Sequence, residues 1–407
     1  MNIDAVTIRP MQTEELDAVA NLRAVGFGGE ADQAKTRLQE NPRYDFSHIL
    51  VAEHNGQVVG TATTFPAKMW LSGVPLSLGA VAGVAVLPEF RNNGIAAKLM
   101  DFSILNMHAQ GHALSALYPF SHSYYHRFNY AAISDLHVYR ISPDNIAITG
   151  DVDKVRPFEA DDLPMLRATY KGQLTWHNGW FTRSNEWWDK IIERWPNFMV
   201  FDNDGWIEGY FSYFYSTDKD GNKIMAVKEF FAAEPEAYQA MMGYLAQQNI
   251  VDIIEFLAPA DTLLHHSLKE PVDFVAQNRS WIFNDLCHVT AGPMGRIIDL
   301  PKALTTRFYT RGMSGERVFK VTDPIIAANQ EPIIFRLVDG RAETRPADGE
   351  AVQVETDIAT LTQVVCGYMK AKDARMLGKF RTDEDTASWL DQIIVDTPLN
   401  IQGVDWF

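Results

Sequence analysis

Arg91, Asn92, Asn93 and Gly94 stand between an apolar run, Val81 to Leu87, and an amphipathic one that begins at Ile95. Residues of these types make a small, positive turn in which successive backbone N–H groups converge on an anion at a helix start, where the helix dipole also favours negative charge. The chemistry on offer is phosphate binding. Upstream, Val84 and Val86 alternate and Pro88 ends the run, which predicts a strand that stops beside the turn. Downstream, Ile95, Leu99, Phe102 and Leu105 recur at offsets of four, seven and ten, which predicts a helix that buries this stripe against a sheet and leaves its N-terminus free. The plainer alternative is an ordinary strand-to-helix connection, which favours Gly and small polar residues and binds nothing.

The combined pattern V-x-V-x-P-x-x-R-x-x-G-x-A, Val84 to Ala96, resembles the acetyl-CoA-binding motif of the GNAT acyltransferases. The resemblance implies that Val84 and Val86 offer backbone groups to the pantetheine arm. It also implies that the amides from Arg91 through Asn92, Gly94 and Ile95 to Ala96 hold the pyrophosphate. The dinucleotide fingerprint G-x-G-x-x-G is not met here, and no G-x-S-x-G elbow or Walker turn argues for a serine hydrolase or an NTPase.

A length of 407 residues predicts two or three domains. Against 36 Lys and Arg stand 52 Asp and Glu, a formal charge of −16, which disfavours nucleic acid and anionic membranes as partners. Cys287 and Cys366 are too few for a disulfide framework and form no metal-type pair. No basic start leads into an apolar run, and no apolar stretch is long enough to span a bilayer, so a cytoplasmic location is expected.

An internal repeat organises the first two thirds. Ile8-Arg9-Pro10-Met11 with Thr13-Glu14-Glu15-Leu16 returns as Val155-Arg156-Pro157-Phe158 with Ala160-Asp161-Asp162-Leu163. The hairpin Val51 to Gly60, turning at Asn55-Gly56, returns as Val200 to Gly209, turning at Asp204-Gly205. Two copies of one domain follow. In the second copy the strand Val227 to Phe231 leads to Glu234-Pro235-Glu236, whose carboxylates repel pyrophosphate, so this copy reads as a structural half without cofactor that helps to shape the acceptor pocket. Its Trp176, Trp180, Trp187, Trp188 and Trp195 serve either core packing or a pocket lining.

Beyond Gly292, Ile333 to Arg341 and Val352 to Thr356 read as antiparallel strands. Helices are expected over Ile358 to Tyr368, capped by Thr356-Asp357, and over Ala387 to Ile394, capped by Thr382-Asp383. This sheet-then-helix order resembles the sterol carrier protein fold. The expected fold class is α+β: two tandem GNAT-like domains, residues 1–150 and 151–291, and a sterol-carrier-like domain, 292–407.

That order, with Tyr124-Tyr125-His126-Arg127-Phe128-Asn129-Tyr130, resembles the enhanced intracellular survival (Eis) family of acetyltransferases. Members carry a Y-x-R-F-G-Y-like segment whose first Tyr is proposed as general acid, which maps onto Tyr125. They end in Phe, whose carboxylate is proposed as general base; Phe407 is the last residue here. The resemblance also implies a homohexamer. The chain departs at Asn129, where Gly is usual, suggesting a slightly different turn, and at Trp406, where a member carries Glu, which loosens the preference for a strongly cationic substrate.

Acetyl transfer from a thioester to an amine needs a neutral nitrogen, a stabilised oxyanion and a proton for the departing thiolate. A terminal carboxylate is ionised at neutral pH, and a Tyr hydroxyl titrates near a thiol and donates without prior ionisation. The oxyanion would rest on a strand amide near Val84. The pairs His108/His112 and His122/His126 lack the H-E-x-x-H glutamate, and no metal is expected. The expected function is acetyl-CoA-dependent N-acetylation of a primary amine on an aminoglycoside-like molecule, a polyamine or a lysine side chain. The alternative is a non-catalytic protein that holds a lipid or other apolar ligand in the sterol-carrier-like domain.

Overall fold

The computed structural model describes residues 3–195, 197–274, 284–394 and 398–407. The chain divides into two compact units, one of Met1–Ile133, Pro293–Asp396 and Phe407, the other of Ser134–Gly292 and Thr397–Trp406.

The first unit is built on strands β1 (Thr7–Pro10), β2 (Ile49–His54), β3 (Gln57–Leu71), β4 (Val74–Val86), β5 (Leu114–Leu117) and β6 (Ala131–Ala132), completed by β14 (Met294–Ile297) in the order β1-β2-β3-β4-β5-β14-β6. Strand β2 is apolar without alternation because both of its faces are covered. Ile49 and Val51 join Leu16, Val19 and Leu38 from α1 (Leu16–Phe27) and α2 (Ala31–Glu40), whereas Leu50 and Ala52 join Ile95 and Leu99 from α3 (Ile95–Ala109). The expected helix is present, but its buried face differs from the expected stripe. Met100, Ser103, Ile104 and Met107 are buried with Ile95 and Leu99, while Phe102 and Leu105 are 38% and 49% exposed. Offsets of seven and ten carry Phe102 and Leu105 round to the far side of Ile95 from Met100, and Met and Ser complete the covered face instead.

The second unit repeats this plan with β7 (Asp135–Ile141), β8 (Val155–Pro157), β9 (Phe198–Asn203), β10 (Trp206–Thr217), β11 (Lys223–Ala232), β12 (Ile253–Ala258) and β13 (His288–Ala291), ordered β13-β7-β12-β11-β10-β9-β8. Helices α5 (Leu163–Gln173), α6 (Asn185–Arg194) and α7 (Pro235–Ala246) complete it. The repeat extends to atomic detail. Arg9 pairs with Glu15 at 2.6 Å and Glu53 at 2.8 Å, and Arg156 pairs with Asp162 at 2.7 Å and Asp202 at 2.9 Å. Both hairpins turn through positive φ, at Asn55-Gly56 and at Asp204-Gly205. The strand after each turn carries a glycine under a helix. A Cβ on Gly60 would lie 3.0 Å from Ile95, and one on Gly209 would lie 2.9 Å from Met241 and 3.1 Å from Ala237.

The rest of the first unit holds a four-stranded sheet, β15 (Gly315–Thr322), β16 (Ile333–Val338), β17 (Arg341–Pro346) and β18 (Val354–Asp357), in the order β17-β16-β15-β18. The hairpin β16–β17 is antiparallel, but β18 lies parallel to β15, which corrects the expected antiparallel arrangement of Val352 to Thr356. The next helices after α4 (His122–His126) in this unit are α8 (Leu300–Thr305), α9 (Ile358–Val365), α10 (Ala371–Met376) and α11 (Glu384–Ile393). Asp357 and Asp383 cap α9 and α11 by accepting from Thr360 and Thr386 amides. Helix α9 stops before the expected Tyr368 because Gly367, at φ 74°, turns left-handed and sends its amide to the Val364 carbonyl. Helix α9 also meets the first sheet, where the Ile297 amide donates to Thr362 Oγ1 at 2.9 Å. Among the described residues no helix is long and apolar enough to cross a membrane.

Candidate active site

Strand β4 is where the first unit opens. It pairs in parallel with β5 only from Leu78↔Leu114 to Val81↔Leu117, yet continues to Val86. Opposite β3 its register jumps, with Thr63 facing Ala82 and Thr61 facing Ala85, so that Gly83 and Val84 form a bulge in which Gly83 takes φ 61°. The Leu87 amide donates to the Val59 carbonyl, so by alternation Val86 turns its backbone groups away from β3 toward the side that β5 has vacated. The Val86 carbonyl accepts from Arg91 Nε at 3.1 Å.

The turn that follows is held from within. Asn93 Nδ2 donates to the carbonyls of Phe90 and Arg91, and Asn92 and Gly94 take φ 63° and 81°. Gly94 precedes α3 with no side-chain cap and no acid in the first turn. The opening amides of α3, at Ile95 and Ala96, therefore have neither a side-chain cap nor an intrahelical acceptor, which suits an anion. The Arg91 amide donates to the Pro88 carbonyl at 3.3 Å, so it is taken within the turn. At the corresponding place in the second unit, α7 begins after Glu234 with Glu236 in its first turn. An anion is disfavoured there.

Tyr125 lies in α4, capped by Ser121, and is 4% exposed. It shares an apolar cluster with Met100 and Ile104 of α3, against which Val84 and Ala97 pack; Val84 also packs against the cluster of Ile95 and Leu99. The tyrosine loop, the bulge and the phosphate-type turn thus meet through one valine. Burial, then Tyr124 and Tyr130, push the Tyr125 hydroxyl well above its ordinary range. The proton stays on oxygen at neutral pH.

Several further residues brace this loop. Asn129 takes φ 59°, the left-handed conformation that glycine adopts freely and Asn tolerates. The departure from glycine thus leaves a left-handed turn. His126 Nδ1 donates to the Tyr130 carbonyl at 2.9 Å, Tyr130 and Ser115 hydroxyls are 2.7 Å apart, and Arg296, fully buried, donates to the Phe128 carbonyl at 2.9 Å and to Asp323 at 2.6 Å. Arg296 comes from beyond the repeat, and no local motif marks it.

The Phe407 ring packs edge-on against Phe65 and Tyr118, with centroids 5.6 and 5.5 Å away. In the second unit, Asp405 is buried against Arg183 at 2.7 Å and the Trp187 indole N–H at 2.8 Å. Of the tryptophans, Trp180, Trp187 and Trp188 are core residues, whereas Trp176 is 77% exposed. His112 is buried with Nδ1 at 2.9 Å from the Ser77 hydroxyl. Among the described residues, no three His, Cys, Asp or Glu side chains gather as a metal site requires.

Residues 7–133 and 179–297 each match an acetyltransferase (GNAT) domain, and residues 300–399 match a sterol carrier protein domain. No curated protein is a significant sequence match. Among solved structures, a GCN5-related N-acetyltransferase from Anabaena variabilis superposes with a TM-score of 0.87 at 19% identity, covering 99% of this chain and 100% of that one. One from Kribbella flavida gives 0.82 at 18%, covering 100% of each chain, and Eis1 from Mycobacterium abscessus gives 0.79 at 20%, covering 98% and 99%. The expected α+β class, two GNAT-like domains before a sterol-carrier-like one, is met. Two GNAT domains followed by a sterol carrier protein domain make this chain a GNAT-type acyltransferase with an Eis-like order of domains.

Proposed function

We propose that the protein transfers the acetyl group of acetyl-CoA to a primary amine of a polycationic small molecule, aminoglycoside-like or polyamine, or of a lysine side chain. The observation that carries this is the conjunction at Val84: an open, bulged strand end, an uncapped helix start free of acid, and a buried tyrosine in the apolar cluster on which Val84 and Ala97 pack. These groups fit a thioester with an anionic tail. When bound, acetyl-CoA supplies an activated acyl carbon and a thiolate leaving group. The Val84 and Val86 backbones line the open edge, the turn of Arg91, Asn92 and Gly94 with the Ile95 and Ala96 amides holds the diphosphate, and a strand amide near Val84 stabilises the oxyanion. Tyr125 donates its proton to sulfur. The α-carboxylate of Phe407, in a chain that ends at this residue, takes the proton from the attacking nitrogen, directly or through water.

In this reading the first GNAT domain (residues 1–150) is catalytic, the second (151–291) is a structural half, and the sterol-carrier-like domain (292–407) contributes the terminal carboxylate. A cytoplasmic homohexamer accompanies it by resemblance. The test is acetyl-CoA-dependent thiol release over polyamines, aminoglycosides and lysine peptides, with protein ending at Phe407 beside a version extended by a few residues. Activity that collapses on extension is expected. Equal activity in both removes Phe407 as base, and silence in both, with a stoichiometric lipid recovered from the protein, moves the function to apolar-ligand binding.

A further inference from the structure

The second unit's sheet opens as the first unit's does. Strands β11 and β12 pair in parallel from Ile224↔Ile253 to Val227↔Phe256, and β11 then runs on to Ala232. The diverging ends line a cavity of about 320 Å³, at the small end of the ~300–1,000 Å³ typical of small-molecule sites. The first unit opens at the same place beside a helix start free of acid, but here the chemistry is inverted. Phe230, Phe231, Tyr238 and Phe256, with His177 stacked on Trp180, form much of the wall, Asp261 is the lining carboxylate, and among the described residues no Lys or Arg lines it. Helix α7, which supplies Tyr238, starts beside Glu234 and Glu236. Aromatic faces and carboxylates both attract positive charge and repel a diphosphate. Two further lining residues, Trp176 and Leu263, stand 77% and 63% exposed; apolar surface of this kind beside a cavity is stabilised when a ligand covers it.

We propose that this cavity binds a small organic ammonium ion with an aromatic or branched apolar body. The site lies within the second unit and does not depend on the acyl-transfer reading. The test is calorimetric titration of the full chain with benzyltrimethylammonium, which has no N–H and so is no acyl acceptor, against benzyl alcohol and phenylacetate. The ammonium ion is expected to bind about tenfold more tightly than either. Asp261→Asn and Trp176→Ala, both at exposed positions, are each expected to lower ammonium affinity several-fold while leaving the melting temperature and acetyl-CoA affinity unchanged. Saturating acetyl-CoA is expected not to compete. Equal affinity for the three probes, ammonium affinity indifferent to both substitutions, competition by acetyl-CoA, or no binding of any probe overturns the proposal.

Discussion

The two GNAT domains share a skeleton and differ at a turn. Each ties its first strand to its first helix through one arginine and two acids, turns a hairpin at a left-handed pair, and seats a helix over a glycine. Each also splays two parallel strands. Where the strand meets the helix the first has Arg91-Asn92-Asn93-Gly94 and the second Glu234-Pro235-Glu236. The fold thus supplies an opening in both copies, while the helix start beside it is free of acid in the first and acidic in the second.

The sharpest way to separate the halves is to remove what only the first contains. Tyr125→Phe is expected to lower kcat by about a hundredfold or more while acetyl-CoA affinity changes by less than about twofold. A matching loss of affinity would make Tyr125 a binding residue instead.

Glycine substitution probes what the halves share. Gly60→Ala and Gly209→Ala are each expected to destabilise by about 1–3 kcal/mol in thermal or denaturant unfolding. The second is expected to cost more, because its Cβ would meet Ala237 Cβ and the Phe231 carbonyl at 3.1 Å, whereas the nearest atoms to Gly60 are side-chain methyls of Ile95 and Leu99 at 3.0 and 3.2 Å. Only Gly60→Ala is expected to weaken acetyl-CoA binding, since it displaces α3. Equal loss of binding in both variants would erase the distinction between the domains.

The smallest effect lies in the arginine clips. Hydrogen bonding to Arg9 and to Arg156 holds the Glu15 and Asp162 carboxyls below their ordinary range. A lowered folded-state pKa contributes stability above the unfolded value and loses it as pH falls through the folded one. Glu15→Gln and Asp162→Asn are therefore each expected to cost about 1 kcal/mol at neutral pH, shrinking toward zero in acid. A pH-independent cost would assign the effect to packing.

The sequence showed the repeat, the phosphate-type turn and the Asp caps because these are local: each is written in residues a few positions apart. Other features are set by distant chain. Strand β7 follows the first GNAT segment yet pairs with β12 in the second unit, and β14 follows the second segment yet pairs with β5 in the first, an exchange that no periodicity encodes. Arg296 reaches the tyrosine loop from 168 residues away, and β18 chooses a parallel partner through the sheet's topology. Phe102 and Leu105 lie outside the buried face of α3, which Met100, Ser103, Ile104 and Met107 complete with Ile95 and Leu99.

The central claim is that one of the two wedges holds the cofactor, and its most direct test is the stoichiometry of acetyl-CoA binding by calorimetry. One equivalent per chain is expected, with affinity falling about tenfold in Arg91→Glu and unchanged in Glu236→Gln. Two equivalents per chain, or one that is indifferent to Arg91→Glu, would contradict it.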